Sequence, residues 1–325
     1  MKYNSIAVTG AAGFIGSVFV DMVMKRNPNL KVAVIDKLTY AGNFDNLSKE
    51  VRQSENFRFF CADICDIESM RKILDEVRPE AIINFAAESH VDNSIKNPFK
   101  FTETNVIGTQ TLLEVCKEQD IERFHQVSTD EVYGELPLEK PDLKFVETMP
   151  LKTSSPYSAS KAAADMFALA YGKTFGIDVT ISRCSNNFGR NQHDEKFIPT
   201  IIRHAIKDEQ VPIYGCGCNV RDWIYVEDHC DAIDFILDNG VPGEIYNVGG
   251  HAELDNITLA KKILNLMGKP LSLMTFVNDR LGHDLRYAID DSKLEKLGWG
   301  GHQNDNFEDN LSKTVKWYET KYQGS

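Results

Sequence analysis

The chain has 325 residues, enough for one large domain or two modest ones, and its 42% hydrophobic content is ordinary for a soluble globular protein. Lys and Arg number 36 against 48 Asp and Glu, a formal net charge of −12 spread without long single-sign blocks, which argues against nonspecific binding to nucleic acid or anionic membranes. No apolar run approaches the roughly 20 residues of a bilayer span and the N-terminus lacks a signal-peptide core, so a cytoplasmic protein with small-molecule partners is expected.

In chain order, short apolar runs alternate with amphipathic stretches. SIAVTG precedes Phe14 to Arg26; KVAVID follows; FRFFCAD precedes Ile67 to Val77; AIINFAA precedes Phe99 to Lys117; FHQVST precedes Ala159 to Thr174; and DVTISR closes the series. Strand-length runs separated by helix-length segments predict βαβ units, hence an α/β fold with a doubly wound, mostly parallel sheet of Rossmann type. In such a sheet, ligands bind beyond the carboxyl ends of the strands. Past about Asn187 the rhythm loosens in PIYGCGCN, GVPGEIYNVGG and DRLGHDLRY, and Phe307 to Tyr322 reads as a terminal helix. The expected division is residues 1–186, a cofactor-binding domain with the catalytic residues, and 187–325, a smaller α/β substrate-binding part, with chain crossing back between them. None of the 7 cysteines has C-x-x-C spacing. They read as reduced packing thiols; Cys216 and Cys218, two apart in a Gly-rich turn, suit neither an ordinary disulfide nor a tetrahedral metal site, and no metal is expected.

VTGAAGFIGS puts Gly10, Gly13 and Gly16 at the turn from the first strand into the first helix, where backbone N–H groups can approach a pyrophosphate. Asp36 ends the second strand 20 residues beyond Gly16, where a carboxylate accepts from the adenosine ribose hydroxyls and repels a 2′-phosphate. NAD is therefore expected. SPYSASKAAAD sets Tyr157 and Lys161 four apart, on one helix face. An ammonium beside a phenol stabilises the phenolate and equips tyrosine as a base near neutral pH. Either Thr129 or Ser128 would hydrogen-bond the substrate hydroxyl. The G-x-x-G-x-x-G spacing resembles the short-chain dehydrogenase/reductase superfamily. That resemblance implies Asp63, Ile64, Ala86 and Ala87 as cofactor neighbours, with Phe14, Ile15, Lys37 and Thr104.

VSTDEVYG places Asp130 beside Glu131 just past a strand. Successive side chains on a strand point to opposite faces, so both acids serve one pocket only where the strand has already broken. If a hexose C4 hydroxyl is oxidised, the C5 hydrogen becomes acidic; one carboxylate removes it while a neutral carboxylic acid protonates the departing C6 hydroxyl, a division that needs separated pKa values. The alternative is that Asp130 caps a helix and Glu131 sits solvated in its first turn.

DKLTYAGN, AAESHVDNSI, STDEVYGE, PYSASKAAAD, RCSNNFG, VRDWIYVEDH and GHDLRYAID, in that order, resemble the nucleotide-diphosphate-hexose 4,6-dehydratases, in particular those of the dTDP-glucose type, over essentially the whole chain. The resemblance implies Asp130 as acid, Glu131 as C5 base, and Tyr157, Lys161 and Thr129 as oxidation apparatus. It places Asn186 near the nicotinamide, and Ser89, His90, Thr129, Asn187, Glu195, Lys196, Arg221, Asn256, Arg280 and His283 around the nucleotide sugar, in a homodimer. Asn191-Gln192, Asp194 and Leu281 depart from the dTDP-glucose pattern, which leaves UDP-glucose and UDP-N-acetylglucosamine open as substrates. A 4-epimerase would need no paired acid, a UDP-glucuronate decarboxylase keeps the Glu without the Asp, and a silent NAD-binding regulator would be expected to lose Tyr157 or Lys161.

Overall fold

The computed structural model describes residues 1–279, 281–300 and 306–323. The six apolar runs form β1 (Ser5–Thr9), β2 (Lys31–Asp36), β3 (Phe57–Cys61), β4 (Ala81–Asn84), β5 (Arg123–Thr129) and β6 (Asp178–Cys184). Beyond them β7 (Asn186–Phe188), β8 (Val211–Tyr214) and β9 (Val220–Tyr225) leave the sheet, and β10 (Ile245–Val248) returns to it. The order is β10-β6-β5-β4-β1-β2-β3, with every neighbouring pair parallel. Central β1, β4 and β5 are almost wholly buried, whereas edge strand β3 is half exposed; β1 and β4 are largely apolar, while β5 also buries Arg123, His125 and Gln126.

The Phe14–Arg26 and Val226–Asn239 helices cover one face around Ile6, Val8, Phe19 and Ile233. The Ile67–Val77, Gly108–Glu118 and Pro156–Phe175 helices cover the other, around Leu74, Leu112, Phe124 and Ala168. β11 (Glu253–Asp255) joins β9 and β7 in a second sheet, and β12 (Met274–Val277) pairs with β8. This smaller part packs the Phe197–Ile206, Asn256–Leu266 and Phe307–Gln323 helices around Ile202, Trp223, Ile263 and Tyr318. Among the described residues no helix is long and apolar enough to cross a membrane.

Three local expectations change. The stretch read as one helix from Phe99 divides into Pro98–Phe101, a widened π-helical turn at Thr102–Ile107, and Gly108–Glu118. A Cβ on Gly108 would lie 2.4 Å from Ile64 Cδ1, so the helix presses directly on the loop after β3. The catalytic helix starts at Pro156, ahead of Ala159, because Ser155 and Ser158 close a capping box around a proline suited to the first turn. Finally, Cys216 and Cys218 are joined as a disulfide rather than standing as separate thiols. Gly215 (φ +55°) and Gly217 (φ +68°) curl the turn and bring both side chains to one side, which the spacing alone did not suggest.

Candidate active site

The ends of β1, β2, β4, β5 and β6 surround a cleft of about 320 Å3 lined by every residue expected at the cofactor: Gly10, Gly13, Phe14, Ile15, Gly16, Asp36, Lys37, Asp63, Ile64, Ala86, Ala87, Thr104, Tyr157, Lys161 and Asn186. Gly10 has φ +66°, and a Cβ there would stand 2.5 Å from Ala86 N; on Gly16 it would stand 2.7 Å from Ala11 Cα. The cradle is thus a close packing of backbone on backbone. Gly13 caps the first helix without a side-chain hydrogen bond, leaving first-turn N–H donors for an anionic group. Asp36 accepts from Ala12 N (2.9 Å) through one oxygen and from Leu38 N (2.8 Å) through the other. A carboxylate has about four acceptor sites, so capacity remains for ribose hydroxyls. Lys37 and Asp63 pair beside it; burial acts to raise the Asp63 carboxyl, but Lys37 and the Cys65 amide outweigh it and hold the carboxyl low. These residues fit NAD.

The floor is the end of β5. Thr129, not Asp130, caps the turn Asp130–Tyr133, its Oγ1 accepting from Glu131 N at 3.3 Å. This 3-10 turn ends the strand's alternation, so Asp130 and Glu131 both line the cleft. Asp130 is only 2% exposed, takes a hydrogen bond from Thr129 through Oδ1 (3.4 Å), and has no partner at Oδ2. Burial, followed by the charges of Glu131 and Asp222, pushes its pKa well above the carboxylate range against the pull of Arg221. Glu131, half-buried, is the more solvated of the two.

Tyr157 and Lys161 stand where the helix pattern puts them, both buried. Burial, then the Glu131 charge, pushes the Tyr157 phenol well up, relieved in part by the Thr129 hydroxyl. Lys161 gives its ammonium to Val127 O at 2.6 Å; burial lowers its pKa, and the Asp165 carboxylate opposes that fall. Asp165 in turn is held by Arg183 Nε at 2.9 Å, an ion pair buried behind the site. Ser128, the other hydroxyl considered, also lines the cleft and lies beside Asp165.

Of the residues expected at the nucleotide sugar, Ser89, Thr129, Asn187, Glu195 and Lys196 line the cleft, with Lys196 Nζ on Ser89 O at 2.8 Å. His90, Arg221, Asn256 and His283 lie outside its lining, and Arg280 lies outside the described residues. Arg221 is 5% exposed, stacks over Tyr287 at 4.3 Å, and donates to Val220 O and Asp284 O. Its fork holds backbone carbonyls of its own segment and of the Asp284 loop. Asn187 turns inward: Nδ2 donates to Ser185 O and Cys184 Sγ, and Oδ1 faces His229 Nδ1 at 2.9 Å. Its neighbour Asn186 faces the cleft with a partnerless Oδ1. His283 pairs with Asp279 at 2.6 Å and Asn256 opens the Asn256–Leu266 helix.

The residues that departed from the dTDP-glucose pattern mostly serve the chain itself. Asn191 donates to Ser17 Oγ and Asn46 O, Asp194 accepts from Tyr322 OH at 2.5 Å, and Leu281 is 76% exposed. Gln192 is the exception and lines the cleft.

Sequence reading missed Asn105. On the π-helical turn, it clasps Glu88 by N (2.8 Å) and O (3.0 Å) and donates to Ser160 Oγ (2.8 Å), fixing the loop after β4 to the catalytic helix. A polar residue on an otherwise packed helix face was the available signal. Away from the cleft, His251, Asp291 and Glu295 bring ligand-type atoms within 4.8 Å of one another. Asp291 already accepts from His251 (2.8 Å) and from Gly249 N (3.3 Å), which accounts for the cluster as an ion pair.

The GDP-mannose 4,6 dehydratase family model matches residues 7–314. Low-salt glycan biosynthesis protein Agl12 of Haloferax volcanii is 47% identical over 96% of this chain and 98% of its own. The dTDP-glucose 4,6-dehydratase of Escherichia coli is 44% identical over 96% and 93%. The crystal structure of DesIV, a dTDP-glucose 4,6-dehydratase from Streptomyces venezuelae solved with NAD bound, superposes with TM-score 0.93 at 44% identity, covering 98% of each chain.

Proposed function

Because the chain belongs to the GDP-mannose 4,6 dehydratase family and is an NAD-dependent nucleotide-sugar 4,6-dehydratase, we propose that Asp130 and Glu131 divide its elimination step, one as acid and one as base. The observation that carries this division is a split environment. Asp130 is buried with an unpartnered oxygen and a raised pKa, which favours its protonated form; Glu131, one residue on, is half-buried in the same cleft.

NAD would supply hydride acceptance from C4 and hydride return to C6. Gly10, Gly13 and Gly16 would admit its pyrophosphate, Asp36 would take its ribose hydroxyls, and Asn186 would lie toward its nicotinamide. Thr129 orients the C4 hydroxyl and Tyr157 takes its proton, with Lys161 holding the phenolate's charge. Glu131 then removes the C5 proton and Asp130 protonates the departing C6 oxygen. After hydride return, Glu131 gives a proton back to C5.

For the substrate we propose dTDP-glucose. Relatives so named align along nearly their whole length, and the departures at Asn191 and Asp194 are engaged in contacts within the chain rather than facing the cleft. Residues 187–325 are assigned to the sugar nucleotide and 1–186 to the cofactor, with β10 as the return crossing. We place the enzyme in the cytoplasm, where both ligands are made. Phe99 (85% exposed), Ile107 and Met166 form an apolar face on the helices flanking the site, and we assign it to a homodimer. Light scattering of Phe99→Asp with Met166→Glu is expected to give a monomer where the parent chain is a dimer.

The activity is tested by mass spectrometry of products from dTDP-glucose, UDP-glucose and UDP-N-acetylglucosamine. Loss of one water without net NADH is expected, fastest with dTDP-glucose. Deuterium placed on C4 must appear on the C6 methyl; its loss to solvent would overturn the mechanism.

A further inference from the structure

Cys216 and Cys218 serve none of the roles assigned above. Both are exposed on the turn between β8 and β9, their Cα atoms 5.3 Å apart, within the range a disulfide spans. The turn is built for closure: Gly217 N donates to Tyr214 O at 3.0 Å, and positive φ at Gly215 and Gly217 folds the chain back on itself. Of the other five thiols, Cys116, Cys184 and Cys230 are buried, and burial raises each of their pKa values, which suppresses the thiolate that exchange requires; burial pushes partly covered Cys65 up to about 12, and Cys61 alone is exposed, so it can take up a single mixed disulfide, read as a glutathione adduct rather than a two-hydrogen loss.

The turn is also stitched to the substrate side. Gly217 O accepts from Ile257 N (3.2 Å) and Asn219 O from Asn256 N (3.1 Å), at the start of the Asn256–Leu266 helix. Gly215 N donates to Val277 O (3.0 Å), and Gly215 packs against the Asp279 carboxylate that holds His283. Asn219 Nδ2 donates to Asp284 O, the carbonyl that also anchors Arg221. One five-residue turn therefore supports Arg221, Asn256 and His283.

We propose that Cys216 and Cys218 are a reversible thiol–disulfide exchange site, open to low-molecular-weight disulfides and dithiols of the glutathione class, whose closed form preorganises the nucleotide-sugar side. The coupling to nucleotide binding rests on the substrate reading above; the exchange itself does not. In closure, one thiolate attacks the small disulfide, forming a mixed disulfide and releasing a thiolate. The second cysteine attacks the protein sulfur of that bond, closing Cys216–Cys218 and releasing a second thiolate. The protein loses two protons and two electrons, a net two hydrogen atoms, and the small disulfide becomes two thiols. A loop enclosing a single residue removes little entropy from the unfolded chain, so closure acts on the turn rather than on overall stability.

The test equilibrates the full-length protein with NAD in dithiothreitol or in oxidised glutathione, maps thiols by peptide mass spectrometry, and measures dTDP affinity by calorimetry. Expected is a two-hydrogen mass difference confined to the peptide carrying Cys216 and Cys218, reversed by dithiothreitol. The dTDP Kd should be about three-fold lower in the closed form, the size of effect that fixing a few rotatable groups produces. Cys216→Ser and Cys218→Ser should each bind dTDP equally in both buffers. A peptide with identical mass in both buffers overturns the exchange site; a reversible mass shift with unchanged Kd overturns the coupling. Absence of dTDP binding in both buffers overturns the substrate reading and the coupling with it, while the mass map still decides the exchange.

Discussion

The strand ends that hold NAD and the acid pair differ in kind from the segments that surround the sugar nucleotide. In the first region, function is set by local backbone: a glycine turn against Ala86, a strand broken at Thr129, a helix begun at Pro156. In the second, side chains are set by contacts between distant segments, Arg221 with Asp284 O and Asn187 with His229. Chemistry common to a family is carried by short-range geometry, while the choice of substrate is carried by contacts between segments far apart in the chain.

If that contrast is right, substitutions at the strand ends should abolish steps outright. Glu131→Gln should lower kcat about a thousand-fold, within the range for loss of a general base. C4 oxidation should survive, seen as NADH absorbance in a single turnover without deuterium exchange at C5. Exchange at the parent rate would remove Glu131 from the base role.

Asp130→Asn should lower kcat about a hundred-fold and yet stabilise the fold. The sign follows from the raised native pKa: the buried carboxyl favours folding while protonated, and that contribution is lost as pH rises through its native pKa. A neutral amide avoids the cost. Tm should therefore rise by roughly 2 °C at pH 8 and much less at about pH 3, below the unfolded-state pKa, where the acid is protonated in both states. An equal change at both pH values would mean that Asp130 is not held protonated by its site. In the parent enzyme the same group should produce the alkaline fall of kcat.

Gly10→Ala should weaken NAD binding about thirty-fold, since φ +66° is strained for alanine and its Cβ would meet Ala86 N at 2.5 Å. Fluorescence titration with NADH reads the change. Parent-like affinity would show that the loop after β4 yields more easily than a backbone contact should.

These differences also explain what the sequence disclosed. The glycine turn, Asp36, Tyr157 with Lys161, and the acid pair were legible because each is a pattern within a few residues or at a fixed spacing along one βαβ unit. The boundary at Pro156 was legible in principle, as a Ser-Pro start, but the apolar period pulled the helix start to Ala159. Thr129 as cap was harder, because Asp130 is an equally good capping residue and only the end of β5 decides between them. The inward turn of Asn187 could not be read at all. It depends on His229, 42 residues on, and on the register that brings β7 beside β9. For the same reason Asn191, read as a mark of a different nucleotide, proves to tie its segment to Ser17 and Asn46 of the cofactor half.

The smallest expected effect on activity is the sharpest test of the contrast. Asn187→Ala removes the acceptor of the buried His229 ring nitrogen and the donor to Ser185 O, leaving groups that water does not reach, at a cost of about 1–3 kcal/mol. Tm should fall visibly. Because both polar ends of the side chain are already engaged within the protein, although the residue lines the cleft, KM for the nucleotide sugar should stay within about two-fold of the parent, the margin expected when no direct ligand hydrogen bond is lost. Asn186→Ala, one residue earlier, should do the reverse, sparing Tm and impairing turnover, since the residue lines the cleft and its amide oxygen has no partner in the protein. A ten-fold rise in KM for Asn187→Ala at unchanged Tm would place its amide on the ligand and dissolve the distinction between the two halves.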